Sequence, residues 1–294
     1  MANQKPIRIE MQHQIKIKNL GTKTEKTYLQ QCDKFSRYLT NNGFKKATIQ
    51  EAEAQVQNYM NDLAKNNYAA ASQKTALAAI CKALNLKMDG FDYARPEIST
   101  RGRDNIGLRN ERNERVIQFA ERVGIRRAEY AKLCGKDYVE RDGRSYVIVR
   151  KGKGGKYQEQ LIAKEDKEFV KKYFDGSNNK VFTEREVKAC HDANIHRLRR
   201  EHAQKMYDHY KAMPADQRVK VVELLEERMN ANPRKYGRLD RAMLSRPYVV
   251  RGIYRKEYME KGKSVSLDRF AVLAVSILHL SHYREAVVVH HYLI

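Results

Sequence analysis

Four short motifs along the chain carry side chains suited to work at a phosphate. Gly124-Ile125-Arg126-Arg127-Ala128-Glu129 sets a guanidinium at a helix start, and Gly152-Lys153-Gly154 sets an ammonium at a glycine-rich turn. His196-Arg197-Leu198-Arg199 opens a helix, and its i, i+3 spacing puts His196 and Arg199 on one face. Leu280-Ser281-His282 is followed ten residues later by Tyr292. An arginine fork matches the non-bridging oxygens of a phosphate. A lysine can protonate a departing oxygen, and a phenol can form a covalent bond to phosphorus. Taken singly, each motif has a plainer explanation: a solvated arginine, an ordinary turn, a core tyrosine. Their order and their basic setting make the set.

That setting is a chain of 294 residues with 58 Lys+Arg against 36 Asp+Glu, a formal charge of +22. Residues 1–95 carry +7 and the remainder +15, so the excess is not a tail. Such charge repels itself unless a polyanion offsets it, and nucleic acid is the usual partner. A hydrophobic share of 41% and a charged share of 32% describe a globular chain. No apolar run approaches the roughly 18 residues of a membrane span, and no apolar stretch follows the N-terminal charges as in a secretory signal. A cytoplasmic protein at work on DNA is expected, with no membrane partner. Cys32, Cys81, Cys134 and Cys190 are scattered, with neither disulfide nor zinc spacing. No metal site and no cofactor are expected.

The elements that must position these residues read as mainly α, with a small β-hairpin or sheet. Residues 1–20 read as a polar N-terminal arm. Residues 21–91 read as a helical domain: Tyr28, Cys32, Phe35 and Leu39 form one apolar stripe, and further helices are expected over 49–66 and 70–84. Residues 92–103, with Pro96, Ser99 and Gly102, read as a linker. From 104 onward a second domain is expected, with helices at 110–122 and from Arg126 to about Leu133. Ser145–Arg150 and Tyr157–Ile162 should pair as a hairpin whose tip is Lys151-Gly-Lys-Gly-Gly-Lys156. Asn232-Pro233 to Gly237 and Arg246-Pro247 are breaks among the later helices.

The whole set resembles the tyrosine recombinase (phage integrase) family. Gly124 to Glu129 is similar to the family's G-L-R-x-x-E box, Leu280-Ser281-His282-Tyr283-Arg284 to its L-G-H-S-R box, and His291-Tyr292-Leu293 to its tyrosine box. The resemblance covers about residues 20–294. It implies a SAM-like core-binding domain followed by a catalytic domain, the two closing around duplex DNA. It implies catalytic roles for Arg126, Lys153, His196, Arg199, His282 and Tyr292, with Glu129 supporting a neighbouring arginine or histidine. Arg127, Lys151, Lys156, Arg197 and Arg200 are then contacts to DNA phosphates. The implied activity is site-specific strand transfer through a 3′-phosphotyrosine, on a specific duplex site of a mobile element. Self-association, as a tetramer in synapsis, follows from the same likeness. The alternatives are a topoisomerase IB-like enzyme and a non-catalytic DNA-binding protein on the same scaffold.

Departures from the pattern are also legible. Arg199 and His282 are 83 residues apart, longer than the family norm, so about 205–265 reads as an inserted helical segment. Ser281 stands where the family has glycine. The sequence stops two residues after Tyr292, so either protomer contacts use surfaces other than a long tail, the inserted segment among them, or the sequence is a truncated one.

Overall fold

The computed structural model describes residues 6–94, 107–191, 193–231, 237–282 and 284–293. The chain separates into two compact units, Met1–Ser99 and Thr100–Ile294. Residues 95–103 of the expected linker, and the expected break at Asn232-Pro233, lie outside the described residues. The architecture is mainly helical with small antiparallel sheets, as the sequence indicates.

Among the described residues the first unit holds five α-helices, α1 (Ile7–Ile17), α2 (Thr22–Asn41), α3 (Ile49–Ala54), α4 (Val56–Lys65) and α5 (Ala70–Leu84), and a 3-10 turn at Met88–Gly90. The stripe on α2 turns inward, with Cys32, Phe35 and Leu39 fully buried. Phe35 and Tyr38 pack against Tyr59 of α4 at ring separations of 5.2 and 5.0 Å. The helix expected over 49–66 is broken at Gln55. Thr48 and Glu51 form a capping box that starts α3, and α4 begins afresh at Val56.

The arm expected at 1–20 is, over residues 7–17, a packed helix. Ile7, Met11 and Ile15 recur at i, i+4 and i+8, and all three are buried. That face lies against α2 and α5. Arg8 and Gln12 both donate to Asp33 of α2 at 2.8 Å, which fastens the polar side as well. The charged residues between the three apolar ones hide the period in a short segment.

The second unit opens with α6 (Glu111–Ala120) and the short α7 (Arg127–Tyr130), which is one turn rather than a helix to Leu133. Then comes a three-stranded antiparallel sheet in the order β1 (Tyr138–Arg141), β2 (Arg144–Val149), β3 (Gln158–Leu161). The expected hairpin is β2–β3, with Val149 opposite Gln158. The sequence pattern does not announce β1, which joins β2 through Asp142 and Gly143, both at positive φ (52° and 69°). After α8 (Lys167–Lys171) and α9 (Glu184–Ala189) comes the long α10 (Ile195–Ala212), followed by α11 (Ala215–Asn230) and α12 (Arg241–Leu244). A two-residue ladder of β4 (Tyr248–Val249) and β5 (Ser266–Leu267) flanks α13 (Gly252–Glu260). The chain ends with α14 (Arg269–Ala274), a π-helical turn (Val275–His279) and α15 (Glu285–Tyr292).

The segment read as an insertion, about 205–265, does not form a separate body. α10 runs through Lys205 without interruption. Met206, Tyr207, Tyr210, Leu224, Leu225, Val250 and Tyr258 share one core with Phe270 to Leu280 and with Val288, Val289 and Tyr292. A second core gathers α6, the sheet and the start of α10 around Phe119, Tyr130 and Phe182. α10 therefore contributes Ile195 to one core and Ala203 onward to the other. His196 and Arg199 sit where the two cores meet.

Candidate active site

Arg126 is the residue before α7, in extended conformation, and the Glu129 carboxylate reaches back to cap the turn at its amide. The Arg126 amide donates to Glu129 Oε2 at 2.7 Å, and Arg126 Nη1 donates to Oε1 at 3.0 Å. Glu129 is 2% exposed; a carboxylate buried so deeply needs its partners. It also accepts from the Lys153 amide at 3.4 Å and from Gln158 Nε2 at 3.2 Å. The Lys153 side chain itself is exposed at the tip of the β2–β3 hairpin.

Arg199, on α10, is 1% exposed. Two backbone carbonyls hold its guanidinium: Gly124 O accepts from Nη1, and Leu280 O accepts from Nη2 at 2.8 Å. Burial pulls its pKa below the usual arginine value, and the nearby Tyr292 phenol works against that shift. Gly124 is glycine for lack of space. A Cβ there would come within 2.8 Å of both His202 Cδ2 and the carbonyl oxygen of His279.

His282 follows the π turn. Its amide donates to Ser276 O at 2.8 Å, reaching back over that turn. Ser281 sits at φ 47°, the left-handed region, where glycine is free and other residues are strained by about 1–2 kcal/mol. Its hydroxyl accepts from Gln160 Nε2 at 2.8 Å, which helps offset that strain. The His282 ring lies 3.2 Å from Arg126, Nε2 to Nη2. A guanidinium only donates, so His282 Nε2 carries the lone pair and the imidazole is neutral. Burial, then the charges of Arg199, Arg126, Arg284 and Lys153, lower its pKa to about 3.

Tyr292 ends α15 and is 4% exposed. Its ring is flanked by His196 at 5.3 Å and His282 at 5.6 Å between ring centres, and the Arg199 guanidinium carbon lies 5.2 Å from the ring centre. Val288, Val289 and Leu293 anchor the end of the chain in the core, and Tyr258 Oη donates to Val289 O at 2.9 Å. His196 is accessible on one side and packed on the other. That partial desolvation, followed by the charges of Arg199, Arg200, His291 and Arg126, lowers its pKa.

The structure thus brings Arg126, His196, Arg199, His282 and Tyr292 to one place, and seats the backbone of Lys153 on Glu129 beside them. The other basic candidates ring this centre. Arg127 is exposed and donates to His191 O at 3.3 Å. Lys151 and Lys156 are exposed on the hairpin. Arg197 pairs with Glu201 at 2.7 Å, and Arg200 is half-buried near His196. Beside Tyr292 in sequence, His290 stacks on Tyr254 at 3.7 Å between ring centres. His279 is buried between Tyr210 and His202. Tyr283 lies outside the described residues. Among the described residues no group of three or more His, Cys, Asp or Glu side chains could hold a metal ion.

Sequence reasoning missed Gln158 and Gln160. Both sit at inward positions of β3 and are buried. Gln158 Oε1 lies 3.4 Å from Arg126 Nη1. The available signal was Gln-Glu-Gln, a polar alternation in a strand expected to turn one face to the core.

Residues 7–82 match the family model of the phage integrase N-terminal SAM-like domain. The first unit therefore carries a phage integrase N-terminal SAM-like domain. The matched residues span α1 to α5, including the helix at 7–17, while the candidate site lies in the second unit. Two solved structures overlay loosely. One is the XerH site-specific recombinase bound to palindromic difH substrate, a post-cleavage complex: 16% identity, 78% of this chain and 80% of that one, TM-score 0.42. The other is the XerA recombinase: 17% identity, 88% and 98%, TM-score 0.24. Overlays this loose transfer nothing to the second unit. No curated protein matches the sequence.

Proposed function

We propose that the second unit cleaves and rejoins duplex DNA by transesterification at phosphorus. The observation that carries this is the Tyr292 ring enclosed by Arg199, His196 and His282 of its own chain, with Arg126 bonded to His282. Tyr292 Oη attacks the phosphorus, the P–O5′ bond breaks, and a 3′-phosphotyrosine forms. The phenol proton passes to His196, which is neutral and available as a base. Lys153 gives its proton to the departing 5′-oxygen. Arg126 and Arg199 take the non-bridging oxygens, so the charge of the transition state meets fixed guanidinium forks. An arriving phosphate competes with His282 for Arg126, and it favours a protonated, donating imidazole there. In the reverse step a 5′-hydroxyl attacks the phosphotyrosine, the phosphodiester is restored and the phenol leaves. The bond energy is conserved throughout.

Arg127, Lys151, Lys156, Arg197 and Arg200 are assigned to the flanking phosphates, and Glu129 to holding Arg126. The finer assignments belong to the same proposal: a mobile-element recombinase acting on a specific duplex site, with four protomers in synapsis. The experiment is a nicked suicide duplex, which traps the covalent adduct. The unmutated chain should yield a protein–DNA adduct. Tyr292→Phe should bind the duplex and yield none, because the change removes one oxygen and keeps the ring. Equal adduct from Tyr292→Phe would remove Tyr292 as nucleophile. Relaxation of supercoiled DNA without strand exchange would select a topoisomerase instead.

A further inference from the structure

We infer that Gln158 is a positioning residue that seats Lys153 at the leaving oxygen by tying the hairpin tip to the Arg126–Glu129 pair. The inference rests on the transesterification proposed above. Gln158 opens β3, points inward and is 6% exposed. Its Oε1 lies 3.4 Å from Arg126 Nη1, and its Nε2 donates to Glu129 Oε1 at 3.2 Å. That same carboxylate oxygen takes Arg126 Nη1 and the amide of Lys153. A carboxamide is neutral and both donates and accepts, so it can touch a cation and an anion at once without adding charge. Leucine or methionine would leave Glu129 short of a donor, and glutamate would oppose it.

Gly152 gives an independent sign of the same contact. Its backbone is extended, at φ −69°, where any residue is at ease. Yet a Cβ at 152 would overlap Gln158 Nε2. The closest atoms a side chain at 152 would meet are those of the Gln158 carboxamide, with the Lys156 carbonyl oxygen of the turn next at 3.0 Å. The Gly152 amide donates to Lys156 O at 2.7 Å and closes the tip. Lys153, the next residue, thus leaves a base whose position Gln158 sets from below and Glu129 from the side.

The test compares adduct formation on two suicide duplexes: one ordinary, one with sulfur replacing the 5′-bridging oxygen. A thiolate leaves without an acid, so the sulfur duplex bypasses Lys153. Gln158→Ala should be slower by about 10–100-fold on the oxygen duplex, the scale of a small misplacement. On the sulfur duplex it should return to within about threefold of the unmutated chain, as Lys153→Ala should. Gly152→Ala should show the same pattern, and it carries the test if Gln158→Ala does not fold. A variant slow on both duplexes would mean that Gln158 acts through Arg126 or through folding, and would overturn the inference. An unmutated rate on the oxygen duplex, from either variant, would overturn it too. If the unmutated chain forms no adduct on either duplex, the transesterification falls and this inference with it. An adduct from the unmutated chain with unaltered variants removes this inference alone.

Discussion

Arg199 shows how much of the site is built from backbone. Its two hydrogen bonds go to the carbonyls of Gly124 and Leu280, so the guanidinium is placed by two chain segments rather than by a carboxylate. Keeping it unneutralised preserves its charge for an anion. Glycine at 124 is what lets the backbone that carries this carbonyl pack against His202 and His279. Gly124→Ala should therefore act on Arg199 without touching it. The added methyl meets His202 and His279 O at 2.8 Å and must push one of three packed segments aside. An overpacked site of this kind costs about 1–3 kcal/mol, and adduct formation should fall at least about tenfold, the effect of moving a transition-state donor. Urea unfolding reads the first and the suicide duplex the second. An unchanged adduct rate at reduced stability would mean that the Gly124 carbonyl does not set Arg199. The four motifs were legible in the sequence because each has a chemical reason for its residue type. The carbonyl ligands of Arg199 were not, since a backbone oxygen leaves no mark on residue identity. Gln158 was missed for a related reason: its role depends on strand register, which fixes which of Gln158, Glu159 and Gln160 point inward.

At the scale of elements, period was readable where a face was long and failed where it was short or mixed. α2, with 20 residues, displays its stripe from Tyr28 to Leu39 over about three turns. α1 has only 11 residues, with Ile9 and Ile17 exposed beside the buried Ile7, Met11 and Ile15, so its apolar residues look unpatterned. The β1 strand was obscured because it is four residues long and its second half, Glu140 and Arg141, is exposed on both faces, so no alternation shows. The long spacing between Arg199 and His282 does not say whether the helices between them share a core with the rest of the unit; α11 and α13 do share it. α1 supplies the prediction at this scale. Met11 is 0% exposed between α2 and α5. Met11→Ala should lower the stability of the first unit by about 2–5 kcal/mol, the cost of emptying a buried methionine site. The exposed Ile17→Ala should stay within about 0.5 kcal/mol of the unmutated chain. Chemical denaturation followed by circular dichroism measures both. Equal, negligible effects would mean that α1 is detached in solution, the arm that its sequence suggests.

For the whole molecule, charge outweighs every local feature. A chain at +22, with an excess in both units, suffers self-repulsion in every conformation it adopts. The paired carboxylates do not remove it: Glu129, Glu159 and Asp137 each neutralise nearby cations, yet Lys153, Lys151 and Arg127 stay exposed around the site. If those cations meet phosphates, binding must release the counterions condensed on the duplex. The affinity then falls as a power of salt, with a slope of about −0.9 per phosphate contacted. Each unit brings its own excess, so the contact number should be that of an extended footprint and not of one patch. For about 6–10 phosphates the loss between 50 and 200 mM salt is about 10³–10⁵-fold. Tyr292→Phe is the right chain for this titration, because it keeps every basic residue and cannot trap the duplex covalently. Fluorescence anisotropy on one duplex, across a salt series, gives the slope directly. A steep slope on a duplex, lost in part when Lys151, Lys156 and Arg127 are replaced together by alanine, is the expected result. A slope near zero would mean that the charge serves some other polyanion or none, and would remove duplex DNA as the partner even if the phosphate chemistry of the site proved right.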